Sequence, residues 1–193
     1  MIQIDQKRPD RLWCFGSNDE EGSGMIMFTI LNAMTGKLEI PWRAVESSNN
    51  NPTKAKVIIE STIDRVVTAL KHQDDDWIIK GYTRGAVSLE GAFEFSLSND
   101  LNCKEKSIKS LSIHPDRPDL LALLFENAPD ILIVKVSKDH WAPSCLLIDT
   151  AGEVDAVHWG PCEEDPITGE KGCKIVTIEK ESKVIRLYTL SKI

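Results

Sequence analysis

Paired cysteine motifs, glycosylation acceptors and long apolar runs are all missing from this 193-residue sequence. The five cysteines, at 14, 103, 145, 162 and 173, form no CxxC pair, so neither a paired-thiolate zinc motif nor a thioredoxin-type redox motif is written in the chain. An odd, scattered set predicts free thiols in a reducing compartment, cytoplasmic or nuclear. Asn51-Pro52-Thr53 is the nearest approach to an N-glycosylation acceptor, and its proline excludes it. No apolar run approaches the roughly 20 residues of a membrane helix. Residues 1–11 lack the apolar core of a secretory signal. Excess positive charge is missing too. The net charge of −7 disfavours nucleic acid, whose phosphates need clustered Lys and Arg.

What is present is a globular composition, 41% apolar, and a repeating pattern of short strands. The clearest copy spans 108–136. Ile108, Leu111 and Ile113 mark a first strand over 108–113. The turn His114-Pro115-Asp116-Arg117-Pro118-Asp119 follows, then the apolar run 120–125. Asn127-Ala128-Pro129-Asp130 reverses the chain into a third strand, 131–136. Short strands separated by such turn chemistry predict an antiparallel meander.

The rest of the chain can be laid over this stretch. Arg8-Pro9-Asp10 falls on Arg117-Pro118-Asp119, and 12–15 falls on 121–124. Repeat one then continues with strands over 25–31 and 38–40. Residues 41–60, with Ser47-Ser48-Asn49-Asn50-Asn51-Pro52, read as a surface insertion. Repeat two starts near Ile63, with strands over 63–70, 77–80 and 86–89, the last extending toward 95. Repeat three adds a fourth strand at 145–148. Repeat four has strands over 154–159, 174–178 and 184–188, with a long acidic connection over 160–172. Ile63, Ile108 and Val154 are spaced by 45 and 46 residues. A period of about 40–46 residues with three or four short strands is the signature of a propeller blade. A competing pattern exists over 54–72, where Ile59, Ile63, Val66, Val67 and Leu70 share one helical face. A helix there would change the class to α+β.

Three local sequences resemble the WD-repeat family of β-propellers. Ser112-Ile113-His114-Pro115-Asp116-Arg117-Pro118-Asp119-Leu120-Leu121-Ala122 is similar to that family's first turn and second strand. Val184-Ile185-Arg186-Leu187-Tyr188 is similar to its third strand, and Ala33-Met34-Thr35-Gly36-Lys37 to the turn that follows. No Trp-Asp dipeptide ends a third strand and no Gly-His opens a blade, so the repeats are degenerate. The resemblance implies an all-β fold: antiparallel β-propeller-like meanders, about four WD-type blades, a partial propeller. The whole chain, 1–193, would be a single propeller-like domain with repeats near 1–45, 60–100, 106–150 and 153–193. It also implies a platform for binding peptides and proteins. Most rings of the family have about seven blades, and here no strand is left over to complete the last blade. A fragment of a longer protein, a ring completed by a second chain or a second copy, and a compact four-bladed fold all remain open.

Candidate chemistry is sparse. Gly16-Ser17 and Gly22-Ser23-Gly24 fit neither nucleotide-loop pattern, and no cofactor is expected. His158, Cys162 and Cys173 lie within 16 residues, with Asp155 near. Their spacing is not that of a zinc site. The reading is a buried His158 with loop cysteines and no metal. Asp74-Asp75-Asp76 and Glu163-Glu164-Asp165 lack calcium-loop spacing and read as turn residues. Trp13, Trp77 and Trp159 sit on expected strands and read as core. Trp42 and Trp141 fall in expected connections and are the candidate partner-binding residues, unless each folds back as a local plug. The expected function is a non-enzymatic protein–protein interaction scaffold, a subunit of a cytoplasmic or nuclear complex. A nucleic-acid-associated propeller subunit and a propeller-based enzyme are the alternatives.

Overall fold

A computed structural model describes residues 2–5, 8–18, 25–46, 57–62, 64–71, 76–103, 106–137, 143–164 and 171–190. These residues build antiparallel meander sheets and divide into two compact units, Met1–Ser98 and Asn99–Ile193. The expected all-β class is borne out. The helical alternative over 54–72 is not, because strands occupy 57–61 and 65–71.

The first unit holds two four-stranded sheets. One runs β1 (Ile2–Ile4), β2 (Arg11–Asn18), β3 (Met25–Asn32) and β4 (Leu38–Glu46), each paired with the next. The β3–β4 turn shows why the sequence reverses there. Asn32 Oδ1 accepts the backbone N–H of Met34 and Thr35, and Gly36 takes a φ of 67°, a conformation that glycine adopts without steric cost. The second sheet runs β5 (Val57–Ser61), β6 (Arg65–Lys71), β7 (Trp77–Arg84) and β8 (Leu89–Ser96).

This second sheet corrects the expected phase of repeat two. The segments read as its first, second and third strands correspond to its second, third and fourth. Its first strand, β5, lies in the stretch read as an insertion, whose other end belongs to β4. Val57, Ile58 and Ile59 carry the β-branched signal, but one three-residue run after a polar loop is too short to be told from a helix face. Residues 47–52, read as a surface loop, lie outside the described residues.

Trp13, Phe15, Phe28, Ile30, Ile40 and Val66 form the core between the two sheets of this unit. The Trp13 and Phe28 rings stack at 5.5 Å.

The second unit holds a four-stranded and a three-stranded sheet. The first runs β9 (Ile108–Ile113), β10 (Leu120–Phe125), β11 (Asp130–Lys135) and β12 (Ser144–Asp149). The second runs β13 (Val154–Glu164), β14 (Lys171–Glu179) and β15 (Ile185–Leu190). Every residue of β10 is buried, because a middle strand is covered on both faces and flanked on both edges. Each fully buried Leu there contributes about 1.5–3 kcal/mol. Ala122, Leu124, Ile131 and Ile133 of the first sheet pack on Val154, Val157, Ile175 and Leu190 of the second. The connection expected over 160–172 is shorter than the sequence suggested. Strand pairing continues through Cys162↔Cys173 and Glu164↔Lys171, past a bulge after Trp159 that takes up Pro161, which has no ladder N–H to give.

Candidate functional site

Large apolar side chains are exposed on the outermost strands of the sheets. On β4 these are Leu38 and Trp42, on β12 Leu146 and Leu147, and on β15 Ile185 and Leu187. Ile185 and Leu187 are 67% and 61% exposed. They stand two residues apart on one face of β15, whose described pairing is with β14 alone. Strand alternation puts them on one side of the pleat. Trp42 lies within β4 and not in the connection expected for it, because the strand continues past Ile40 to Glu46; it is 46% exposed, and its indole reaches across toward the Gly16 backbone. Trp141 lies outside the described residues.

The first unit also contains a cavity of about 370 Å³ where the β1–β2 and β7–β8 turns meet. Asp5, Arg8, Arg11, Trp13 and Arg84 line it. Trp13 Nε1 donates to Asp5 Oδ2 at 3.2 Å, and the Arg84 guanidinium lies 4.6 Å from the centre of the Trp13 ring. Burial lowers the pKa of Arg84, against the attraction of Asp5 and Asp64. Arg11 pairs with Glu39 at 2.6 Å and Arg8 with Asp10 at 3.0 Å. The cavity is therefore a charge-balanced one on an aromatic floor, and its arginines are not a spare cationic patch.

In the second unit three side chains converge that the sequence does not bring together. β9 and β13 run side by side, linked at three levels. Lys109 Nζ donates to the Val154 carbonyl at 3.0 Å, Trp159 Nε1 to the Ser112 carbonyl at 3.3 Å, and His114 Nε2 lies 3.1 Å from Cys162 Sγ. Cys162 is disulfide-bonded to Cys173, its direct partner in the β13–β14 ladder. This corrects the expectation of free thiols for these two cysteines; Cys14, Cys103 and Cys145 are free. It also corrects the reading of a buried His158 with loop cysteines. His158 is exposed on β13, the cysteines are on strands, and the buried histidine is His114.

His114, Cys162 and Cys173 present their donor atoms within 4.8 Å of one another, a spacing a metal could span. The histidine's hydrogen bonds argue against it. His114 Nδ1 accepts the backbone N–H of both Asp116 and Arg117, each at 3.1 Å. Burial pushes the imidazole below its ordinary pKa, which keeps it neutral. A neutral ring whose Nδ1 accepts must carry its proton on Nε2. The sulfur therefore faces an N–H, not the lone pair that a metal ligand needs. No sequence motif could have found this set, since 48 residues separate His114 from Cys162.

Four-stranded meanders of this kind define the β-propeller class, and the comparisons agree. The structure is similar to the β-propeller domain of Myceliophteria thermophila Cps50 (Swd1), with a TM-score of 0.58 and 11% identity over 100% of this chain and 50% of that one. It is also similar to a putative 6-phosphogluconolactonase from Bacteroides fragilis, with a TM-score of 0.50 and 8% identity over 98% of this chain and 55% of that one. The chain thus spans about half the length of the propellers it matches, and its fold is that of a partial β-propeller. No protein-family model and no curated protein sequence matches it. Among the described residues, no helix is long and apolar enough to cross a membrane.

Proposed function

We propose that this chain is a WD-repeat-like propeller segment that acts as a non-enzymatic protein–protein interaction scaffold in a cytoplasmic or nuclear complex. The observation that carries this reading is the placement of exposed apolar side chains on outer strands, above all Ile185 and Leu187 on β15. An unpaired strand edge beside an apolar stripe invites an added protein strand, and exposed apolar patches mark interaction sites. The occupant is a protein segment in extended conformation, from a second chain or a second copy. Trp42, on the outer strand β4, and Trp141 are the proposed aromatic anchors. The paired state of Arg8 and Arg11 and the net charge of −7 favour protein over nucleic acid.

Hydroxyl-radical footprinting tests this. The chain is labelled alone and in the assembly recovered from its source cells. The reading expects protection at Ile185 and Leu187, with Trp42 and Trp141 protected as well if they are anchors. Equal labelling of Ile185 and Leu187 in both samples refutes it. Light-scattering mass on the isolated chain separates the occupants, since a discrete dimer identifies a second copy.

A further inference from the structure

We propose that Cys162 and Cys173 form a reversible thiol–disulfide pair, in which Cys162 exchanges with small thiols and disulfides and His114 stabilises its thiolate.

The ladder holds the two sulfurs together in either redox state. Cys162 and Cys173 are register partners with Cα atoms 4.2 Å apart, and β13 and β14 stay paired on both sides of them, from Val154↔Glu179 to Glu164↔Lys171. Opening the disulfide leaves those bonds in place, so the thiols remain neighbours and reclosure is intramolecular. The pair is also asymmetric. Cys173 is buried, 1% exposed, whereas Cys162 is only partly buried. An incoming thiolate can reach Cys162 and not Cys173.

His114 completes the asymmetry. Its ring is fixed by the two amides at Nδ1 and by the Trp159 ring, 5.0 Å away, so Nε2–H is aimed at Cys162 Sγ. A hydrogen bond to the charged form favours that form, and thiolate is the reactive species. Among the described residues, the other charged groups around the cluster are engaged. Arg117 pairs with Asp119 at 2.8 Å and Lys174 with Glu163 at 2.5 Å; Asp116, beside the ring, and Glu164 on β13 add negative charge only. The neutral His114 ring therefore acts on the sulfur as a hydrogen-bond donor through Nε2–H, not as a charge. Cys103, in the same unit, makes the contrast: burial pushes its thiol up.

The chemistry balances with a small thiol as co-substrate. A thiolate attacks Cys162 Sγ, the bond to Cys173 breaks, and Cys173 leaves and takes a proton. A second thiolate attacks the outer sulfur of the mixed disulfide and releases Cys162 as a thiolate beside His114 Nε2–H. Two electrons and one proton enter the protein, the proton on Cys173 while Cys162 stays a thiolate, and two small thiolates leave as one disulfide. Oxidation by a small disulfide runs the same steps backward, with Cys162 as nucleophile and Cys173 resolving.

The test uses the full chain in glutathione buffers of varied thiol-to-disulfide ratio, with alkylation and peptide mapping. The 162–173 pairing should follow the ratio and reach the same value from either direction. In the reduced chain, Cys162 should alkylate roughly tenfold faster than Cys173. His114→Asn keeps an acceptor near the Nδ1 position and removes the Nε2 donor. It should move the pH profile of Cys162 alkylation upward by about one unit or more, while His114→Gln, which keeps an N–H near Nε2, should move it less. A pairing that never forms, equal reactivity of the two thiols, or an unchanged profile in a folded His114→Asn chain overturns the proposal. So does uptake of zinc by the reduced chain, since that needs the opposite tautomer. If neither His114 variant folds, the reactivity order of the two thiols in the unaltered chain decides it.

Discussion

The Phe93 ring on β8 occupies the space that a side chain on Gly81 of β7 would fill. The two residues are direct partners in the β7–β8 ladder, and a Cβ on Gly81 would overlap the ring. Arg65 closes the other side, its guanidinium 5.7 Å from the ring centre. Gly81→Ala must therefore push Phe93 from its place and should cost about 1–3 kcal/mol, read as a fall in the denaturant midpoint. Gly91, beside which a Cβ meets nothing within 4 Å, is the control and should tolerate alanine.

Asp76 predicts an acid-sensitive turn. Its carboxylate accepts the Trp77 and Ser98 backbone N–H at 2.8 and 3.0 Å and the Ser96 hydroxyl at 2.5 Å. Burial raises its pKa, but the hydrogen bonds from Ser96, Ser98 and Trp77 outweigh that and hold it below the ordinary value. The stabilisation is thus present above the unfolded value of about 3.9 and is lost as pH falls through the lower folded value. Asp76→Asn should flatten the loss of stability below about pH 4. Asp76→Ala, which orphans three donors, should cost about 1–3 kcal/mol at neutral pH. Urea unfolding across pH 2–7 would measure both.

Leu123 and Leu147 separate core from surface within one sheet. Leu123 is fully buried on β10, between Leu111 and Leu132, whereas Leu147 is 50% exposed on β12. Leu123→Ala should cost about 2–5 kcal/mol and Leu147→Ala no more than about 0.5 kcal/mol. Equal losses in thermal unfolding would mean that β12 is covered.

Arg84 should prove structural as well as cavity-lining. It rests on Trp13, and its Nη1 donates to the Thr62 carbonyl at 2.9 Å. Arg84→Ala removes both contacts and should cost about 1–2 kcal/mol. Arg84→Lys keeps the charge without the planar fork and should recover only part of it, measured as denaturant midpoints of the two variants.

Much of the fold was legible in the sequence. β2, β3 and β9–β11 follow apolar runs bounded by Asn, Asp, Pro and Gly, because strand alternation and turn chemistry act over a few residues. Leu120–Phe125 could be read as a central strand since only a middle strand needs six consecutive apolar positions. The phase of the second sheet was not legible. Val57–Ser61 and Arg65–Lys71 share a helix-compatible spacing, and their assignment depends on which strand each pairs with. Arg84 over Trp13, Phe93 over Gly81 and His114 against Cys162 were not legible either, because each joins residues of separate elements that only tertiary packing brings together.

The sequence alone determined short strands, their turns and a repeat of about one blade, through local propensity and periodicity. The tertiary structure decided where its chemistry lies. Packing β9 beside β13 sets a histidine N–H on one sulfur of a cross-strand pair, and no spacing along the chain encodes that proximity.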